Sequence, residues 1–461
     1  MKVIFVNAPF VKYNDEFKNV DSKYNTKNNI KISWDLIYKY LGKRLHNFLK
    51  KYCKEIPVIK YGVRAGSRWP FMVESKFSYK PYPFFIGYSA ALLKENGFDV
   101  DVIDAVLDET YSYTAFLKEV RKKKADIVVV ECSTPSFDID IWISEQISEF
   151  AEVALAGPHL TDENTPELKE KYPFVTYFLK GEYIKSSLEM AQSLKPGIYE
   201  SKIVSNLDEI PFPYRDYKNV ENYFEPAVAT EMPQLQIYAS KGCPFKCIYC
   251  SWPQVMYNGN VALRSPEKIA EEIRECVTKY GYKSIFFDDD TFNMGTERIS
   301  KLCDYLKEIG LPWSMMGRLD CSPDWLYDKM VDCGCVGMRF GVETFNLDVL
   351  KKIDKGLERV DFRNTIEHLT QKYPDIIIRL TLMKNLPGQT DEIHKQDLEI
   401  IKDMGFLCGN PNRTYQISSC VPFPGTKLYK DLVNIHGEEK LKNWELYDGN
   451  SDTIMAELKN Q

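Results

Sequence analysis

Residues 241–253 read KGCPFKCIYCSWP. Three cysteines, Cys243, Cys247 and Cys250, fall within eight positions, directly after LQIYASKG, a run of strand character. Clustered thiolates suit zinc or an iron–sulfur centre. A structural zinc site is normally closed by four ligands. The five histidines (His46, His159, His368, His394, His436) all lie far from this run in sequence. A cubane held by three protein thiolates would instead leave one iron open to a substrate or cofactor.

Outward from the cysteine run, strand and helix alternate. Ser265-Pro266-Glu267 predicts a capped helix to about Tyr280, with proline in the first turn. KSIFFDDD, PWSMMGRLD, VGMRFGVE, DIIIRLTLMK and RTYQISSC (413–420) read as strands, each preceded by a helical pattern. Six strand–helix units are enough for a partial parallel barrel, and such barrels carry their chemistry at the carboxyl ends of the strands. The cysteines sit at one such end.

The first third alternates too. KVIFVNAP, VDVIDAV (100–106), DIVVVEC (126–132), VALAG (153–157) and VTYFLKG (175–181) are predicted strands with helices between them. This pitch gives a doubly wound parallel sheet of Rossmann type, so the expected fold class is α/β in both halves. Expected boundaries are 1–205 for the first domain, 206–230 for a proline-bearing linker, 231–430 for the barrel and 431–461 for a short polar tail. A long insertion at about 11–81 leaves the end of the first strand. It contains a helical pattern near 33–53 and the run GVRAGSRWPFM, whose Trp69 and Phe71 suit a lid.

Composition bounds the function. The chain has 461 residues, 44% hydrophobic and 27% charged, with net charge -6. That argues against a dedicated nucleic-acid binder. The basic cluster Lys43, Arg44, Lys50, Lys51, Lys54 reads as a solvated helix face. No apolar run approaches the ~18 residues of a membrane span, and MKVIFVNAPF reads as a strand, not a leader, so a cytoplasmic location is expected. Twelve cysteines at this length point to metal or redox chemistry before a disulfide scaffold. Cys276 and Cys303 fall on core faces of helices, and Cys333 and Cys335 are explained by a tight turn.

C-x3-C-x2-C with an aromatic, Tyr249, before the last cysteine resembles the signature of the radical S-adenosylmethionine (SAM) superfamily. FFDDDTF (286–292), GRLD (317–320), FGVET (340–344), NLPGQT (385–390) and VPFPGTKLY (421–429) resemble that family's strand-end motifs, in the family's order. The resemblance implies a [4Fe-4S] cluster on Cys243, Cys247 and Cys250, with SAM on the open iron. An electron from the cluster would cleave SAM to a hydrogen-abstracting 5′-deoxyadenosyl radical. It further implies that Glu343 contacts the cofactor, with Arg318 a candidate for its carboxylate and Tyr249 beside it.

The first domain resembles the cobalamin-binding domain found ahead of many radical barrels, in YPFFIGYSAALLKENGFDVDVIDA, VVVECSTPSFD and LAGPHLTDENTPEL. Ser133, Thr134, Ser136, Gly157, His159 and Glu182 are the implied cobalamin contacts. The D-x-H-x-x-G motif that supplies an axial histidine elsewhere is absent. The expectation is a cobalamin-dependent radical SAM enzyme, a methyltransferase acting on an unactivated carbon of a small molecule or peptide. An external electron donor such as a flavodoxin or ferredoxin would serve it, with neither nucleic acid nor membrane as partner. The competing expectations are a cyclase or rearrangement enzyme of the same build, a methylthiotransferase, and a non-catalytic zinc module. The methylthiotransferase family carries further cluster cysteines in its first domain, where this chain has only Cys53 and Cys132.

Overall fold

The computed structural model describes residues 1–12, 60–63, 71–73, 79–108, 113–228, 231–450 and 453–459. The expected helix near 33–53, Trp69 and the basic cluster lie outside these residues. The described parts of the insertion, 11–12, 60–63 and 71–73, pair as an antiparallel three-stranded ribbon.

The first domain is a sheet of six parallel strands in the spatial order Asp99–Asp104, Lys2–Asn7, Ile127–Glu131, Glu152–Ala156, Tyr177–Leu179, Gly197–Tyr199. The order reverses at Lys2–Asn7, which places the ligand crevice of such a sheet outside the ends of Lys2–Asn7 and Ile127–Glu131. The strand Gly197–Tyr199 was not anticipated. Three residues after Pro196 are too few to show a period.

The second domain is a sheet of six parallel strands that neighbour one another in chain order: Gln234–Ile237, Ser284–Phe287, Trp313–Gly317, Cys335–Glu343, Ile377–Lys384 and Arg413–Ser419. Alternation along each strand separates two faces. Met338, Phe340, Ile378, Leu380 and Leu382 face the helices in the main hydrophobic core, with Cys276, Cys303, Cys333 and Cys335. Ser265 caps its helix as the motif predicts, its Oγ accepting from the Lys268 N–H at 3.4 Å.

The linker and the tail differ from expectation. Residues 206–228 are not a loose connection. Leu207, Ile210, Val220, Tyr223 and Val228 are buried, and Arg215 donates to the Gln236 carbonyl at 2.6 Å while lying over the Tyr82 ring. Charge content concealed this, because the arginine is neutralised by Glu272 from the barrel side. Residues after 430 fold back onto both domains, and Leu441, Tyr447, Ile454 and Met455 are buried. Between the domains runs one aromatic core. Phe84 stacks on Tyr238 at 3.7 Å and Phe85 on Trp252 at 5.6 Å. Helix Phe84–Glu95 is therefore apolar around its circumference, as a helix between two layers must be.

Candidate active site

Cys243, Cys247 and Cys250 line one cavity at the carboxyl end of the barrel. Burial raises the thiol pKa values of Cys243 and Cys250, and the neighbouring Asp290 and thiols add to it. Coordination to a cationic metal centre reverses that cost, since the thiolate is the ligand form. The expected contacts Tyr249, Arg318 and Glu343 line the same cavity.

Glu343 sits at a register irregularity of its strand with φ of 70°, which turns its carboxylate inward. Its Oε1 accepts from Lys355 Nζ at 2.8 Å, and its buried Oε2 has no partner. A buried carboxylate oxygen left unpaired is costly unless a ligand completes it. A cofactor ammonium fits that gap. A Cβ at Gly341 would stand 2.7 Å from Glu343 Oε1, so the glycine clears room for this pair. Arg318 is committed elsewhere. It holds Asp320 through two hydrogen bonds of 2.9 and 2.7 Å, donates to the Lys355 carbonyl at 2.6 Å, and lies 3.6 Å above the Phe245 ring of the cysteine loop. Its pKa is raised by Asp320 against the opposing effect of burial.

The acidic strand end FFDDDTF clamps the cysteine loop. Asp289 accepts from the Ala239 N–H at 3.1 Å and from both the N–H and the hydroxyl of Ser240. Asp290 accepts from the Gly242 N–H at 2.8 Å. Gln254 closes the other side. Its Nε2 donates to the carbonyls of Cys247 and Cys250 at 3.0 and 2.9 Å, and its Oε1 accepts from the Lys427 N–H at 2.7 Å. The cysteine loop is thus fixed by backbone hydrogen bonds from two directions.

The first-domain residues behave differently. Ser133 and Ser136 hydroxyls lie 2.8 Å apart, and Ser136 donates to the buried Asp140 at 2.7 Å. Thr134 Oγ1 lies 3.2 Å from His159 Nδ1. The His159 ring stacks on Phe137 at 3.9 Å and meets the edge of Trp444, from the C-terminal segment, at 5.0 Å. Burial holds its pKa down at about 3, so it is neutral. Gly157 (φ 114°) is required by its neighbour, since a Cβ there would stand 2.3 Å from the Cys132 carbonyl. Glu182 forms a buried ion pair with Lys241, two residues before Cys243. It joins the domains instead of facing an open crevice. Beside His159 lies a second cavity, walled by Phe137, Thr161, Asn164, Tyr429 and Trp444. Its lining also carries the carboxylates Asp138, Glu163, Glu167 and Glu438 and the lysines Lys171, Lys430 and Lys442.

Lys355, Met316, Gln416, Ser418, Ser419 and Asn450 line the first cavity and were not anticipated. Gln416 and Ser418 could have been found, because they alternate with Tyr415 and Ile417 in RTYQISSC. Lys355 gives no local signal. Conversely, NLPGQT contributes nothing to the lining. Its Gln389 donates to the Met383 carbonyl and to Asp397, and its Thr390 caps the following helix.

Residues 237–400 match the family model described as the Radical SAM superfamily. A protein of Pyrococcus horikoshii described as an uncharacterized methyltransferase, PH0819, is 25% identical over 377 residues, 76% of this chain and 78% of that protein. The cytidylyl-2-hydroxyethylphosphonate methyltransferase of Streptomyces wedmorensis is 24% identical over 343 residues, 59% of this chain and 63% of that protein. Among solved structures, the cobalamin-dependent radical enzyme OxsB, with aqua-cobalamin and SAM bound, superposes with TM-score 0.63 at 14% identity, over 83% of this chain and 64% of that one. The methyltransferase TsrM of Kitasatospora setae, with tryptophan and a SAM analogue, gives TM-score 0.57 at 15% identity, over 77% and 73%. At these identities the superpositions speak for the fold. No helix among the described residues is long and apolar enough to cross a membrane.

Proposed function

We propose that this chain, whose barrel is a radical SAM domain, is a cobalamin-dependent radical SAM methyltransferase that methylates an unactivated carbon of a small molecule or peptide. The observation that carries the reading is the convergence of three loop thiols and the unpartnered Glu343 Oε2 on one cavity at the barrel mouth. The methyltransferase relatives and the fold shared with TsrM and OxsB support the same class. When bound, the cluster and SAM supply the hydrogen-abstracting radical, and cobalamin supplies the methyl group.

The chain's own residues bind, orient and exclude water. Cys243, Cys247 and Cys250 would hold the cluster, and Asp289, Asp290 and Gln254 keep their loop in place. Glu343 Oε2 would accept from the SAM ammonium, with Lys355 fixing the carboxylate from its other oxygen. Trp252 and Pro253 wall the cavity on the side that docks to the first domain. The second cavity, with Phe137, Thr161 and His159, would take the nucleotide tail of cobalamin. His159 is pinned between Phe137 and Trp444, so it serves as wall. Among the described residues the first domain has Cys132 as its cysteine, buried in the sheet core, which leaves no ligand set there for a methylthiotransferase's second cluster. An external one-electron donor such as a flavodoxin or ferredoxin completes the reaction.

The test is anaerobic reconstitution with iron, sulfide and hydroxocobalamin, followed by desalting. Iron near ~4 per chain with a retained corrin band is the expected result. Iron without corrin would remove the methyl-transfer claim and leave a radical enzyme.

A further inference from the structure

The barrel interior holds a charge that the cofactor chemistry above does not use. Arg339 and Arg379 are register partners on adjacent strands, so both side chains point to the same, inner face. Inward neighbours one layer above are Gly341, Thr381 and Gln416; Gly341 and Gln416 line the cavity, and the two arginines and Thr414 lie one layer beneath that lining. Gln416 Oε1 accepts from Arg339 Nη2 at 3.0 Å and from Arg379 Nη2 at 3.4 Å. One carboxylate enters from the linker. Glu225 Oε2 lies 3.6 Å from Arg339 Nη1. Other buried cations near the cavity are matched singly, Arg318 with Asp320 and Lys355 with Glu343. Among the described residues no carboxylate lies within ion-pair distance of Arg379, although the charge of Glu225 also reaches it, and its Nε is buried without a partner. Burial and the neighbouring Arg339 push its pKa down to about 10 against the pull of Glu225, so a second anion would relieve it.

The unmet polar atoms are not confined to Arg379. Thr414 Oγ1, register partner of Arg379, and Ser418 Oγ, on the cavity wall, are also buried without partners. Two unpartnered hydroxyls on one inner face, beside a guanidinium whose Nε is also unpartnered, leave polar capacity for a ligand to meet.

We infer that Arg379, with Arg339, Gln416, Thr414 and Ser418, forms the anion-binding end of the substrate site, so the substrate carries a carboxylate or phosphate group. This rests on the radical-enzyme reading of the cavity above it. A planar guanidinium flanked by hydroxyls and an amide recognises either oxyanion in a two-point contact. Held there, the anion fixes one end of the substrate beneath the cysteine loop, and the carbon to be modified faces the cavity mouth. Specificity then comes from buried donors that a neutral analogue would leave unpaired.

Equilibrium dialysis of the cluster-reconstituted enzyme against radiolabelled inorganic phosphate and against radiolabelled propanoate tests this. Saturable retention of phosphate alone assigns a phosphate or phosphonate substrate, and of propanoate alone a carboxylate one. Either should weaken by about tenfold or more in Arg379→Gln, the scale of a lost charged hydrogen bond. Retention of neither anion by the wild type, or equal retention by Arg379→Gln, overturns the assignment. Iron content and SAM cleavage are read in the same preparations, and iron content is expected unchanged in Arg379→Gln. Normal iron and cleavage without anion binding sinks this inference alone, whereas wild type without iron or cleavage sinks the radical reading itself. Should Arg379→Gln lose iron as well, Arg379→Lys decides. Anion binding kept there at reduced affinity supports the assignment, and none overturns it.

Discussion

The barrel mouth and the carboxyl edge of the first domain are both strand-end sites, yet they leave their polar groups in opposite states. At the barrel mouth Glu343 Oε2 and Ser418 Oγ are buried and unpaired toward a cavity. At the first-domain edge Ser133, Ser136, Thr134 and His159 satisfy one another, and Trp444 lies against the histidine. The barrel site is therefore built and waiting, with its loop fixed by backbone hydrogen bonds. At the first-domain edge the chain's own C-terminal segment packs on the histidine and walls the second cavity. Polar satisfaction, more than residue type, separates a prepared site from a covered one.

Cys247→Ala should break the contrast most severely. With two thiolates left, bound iron and sulfide should fall to background and SAM cleavage should vanish. Full cleavage in that variant would remove the cluster from the account. Glu343→Gln should come next. It keeps the shape but loses the charge, so the Kd for SAM, measured by anaerobic calorimetry, should rise about 10- to 100-fold while iron content holds. An unchanged Kd would mean that the unpaired oxygen faces something other than the cofactor.

Asp104 carries the pH dependence of the first-domain edge. It accepts from Asn7 Nδ2 at 2.7 Å and from the Tyr223 hydroxyl at 2.8 Å, but burial dominates and raises its pKa to about 6. A carboxyl raised in the folded state holds a proton that the unfolded chain has released. Stability therefore falls as pH rises from about 4 through about 6, by up to ~3 kcal/mol from this group. Burial raises Asp289 to about 6 as well, so urea titrations across that range should show the summed slope, and Asp104→Asn should about halve it. An undiminished slope would remove Asp104 from the account. Trp444→Ala should have the smallest effect, about 2 kcal/mol of stability for a half-buried ring. It should also speed hydroxocobalamin uptake with iron unchanged. Uptake at the wild-type rate would show that Trp444 covers no entry, and the contrast between the two edges would narrow.

Much of this protein was legible in its sequence because the information is local. Period and punctuation placed five of the six first-domain strands and all six barrel strands, and with them the cysteine loop at a strand end. Ser265-Pro266 marked its helix start to the residue, since capping depends on neighbours within one turn. The partners that make a site were not local. Lys355 reaches Glu343 across a helix, and Asp289 holds a loop that ends nearly fifty residues earlier. Arg215 reads as linker charge until Glu272 and Tyr82 surround it.

Sequence alone thus determined which residues could do chemistry and at which strand ends they fall, because strand alternation and ligand spacing are written along the chain. Tertiary structure alone decided which of those residues are free to do it. Glu182 was committed to Lys241 and the serines to Asp140, while Glu343 and Arg379 were left with unmet groups. Whether a buried polar atom has a partner depends on segments tens to hundreds of residues away, and no local pattern encodes that distance.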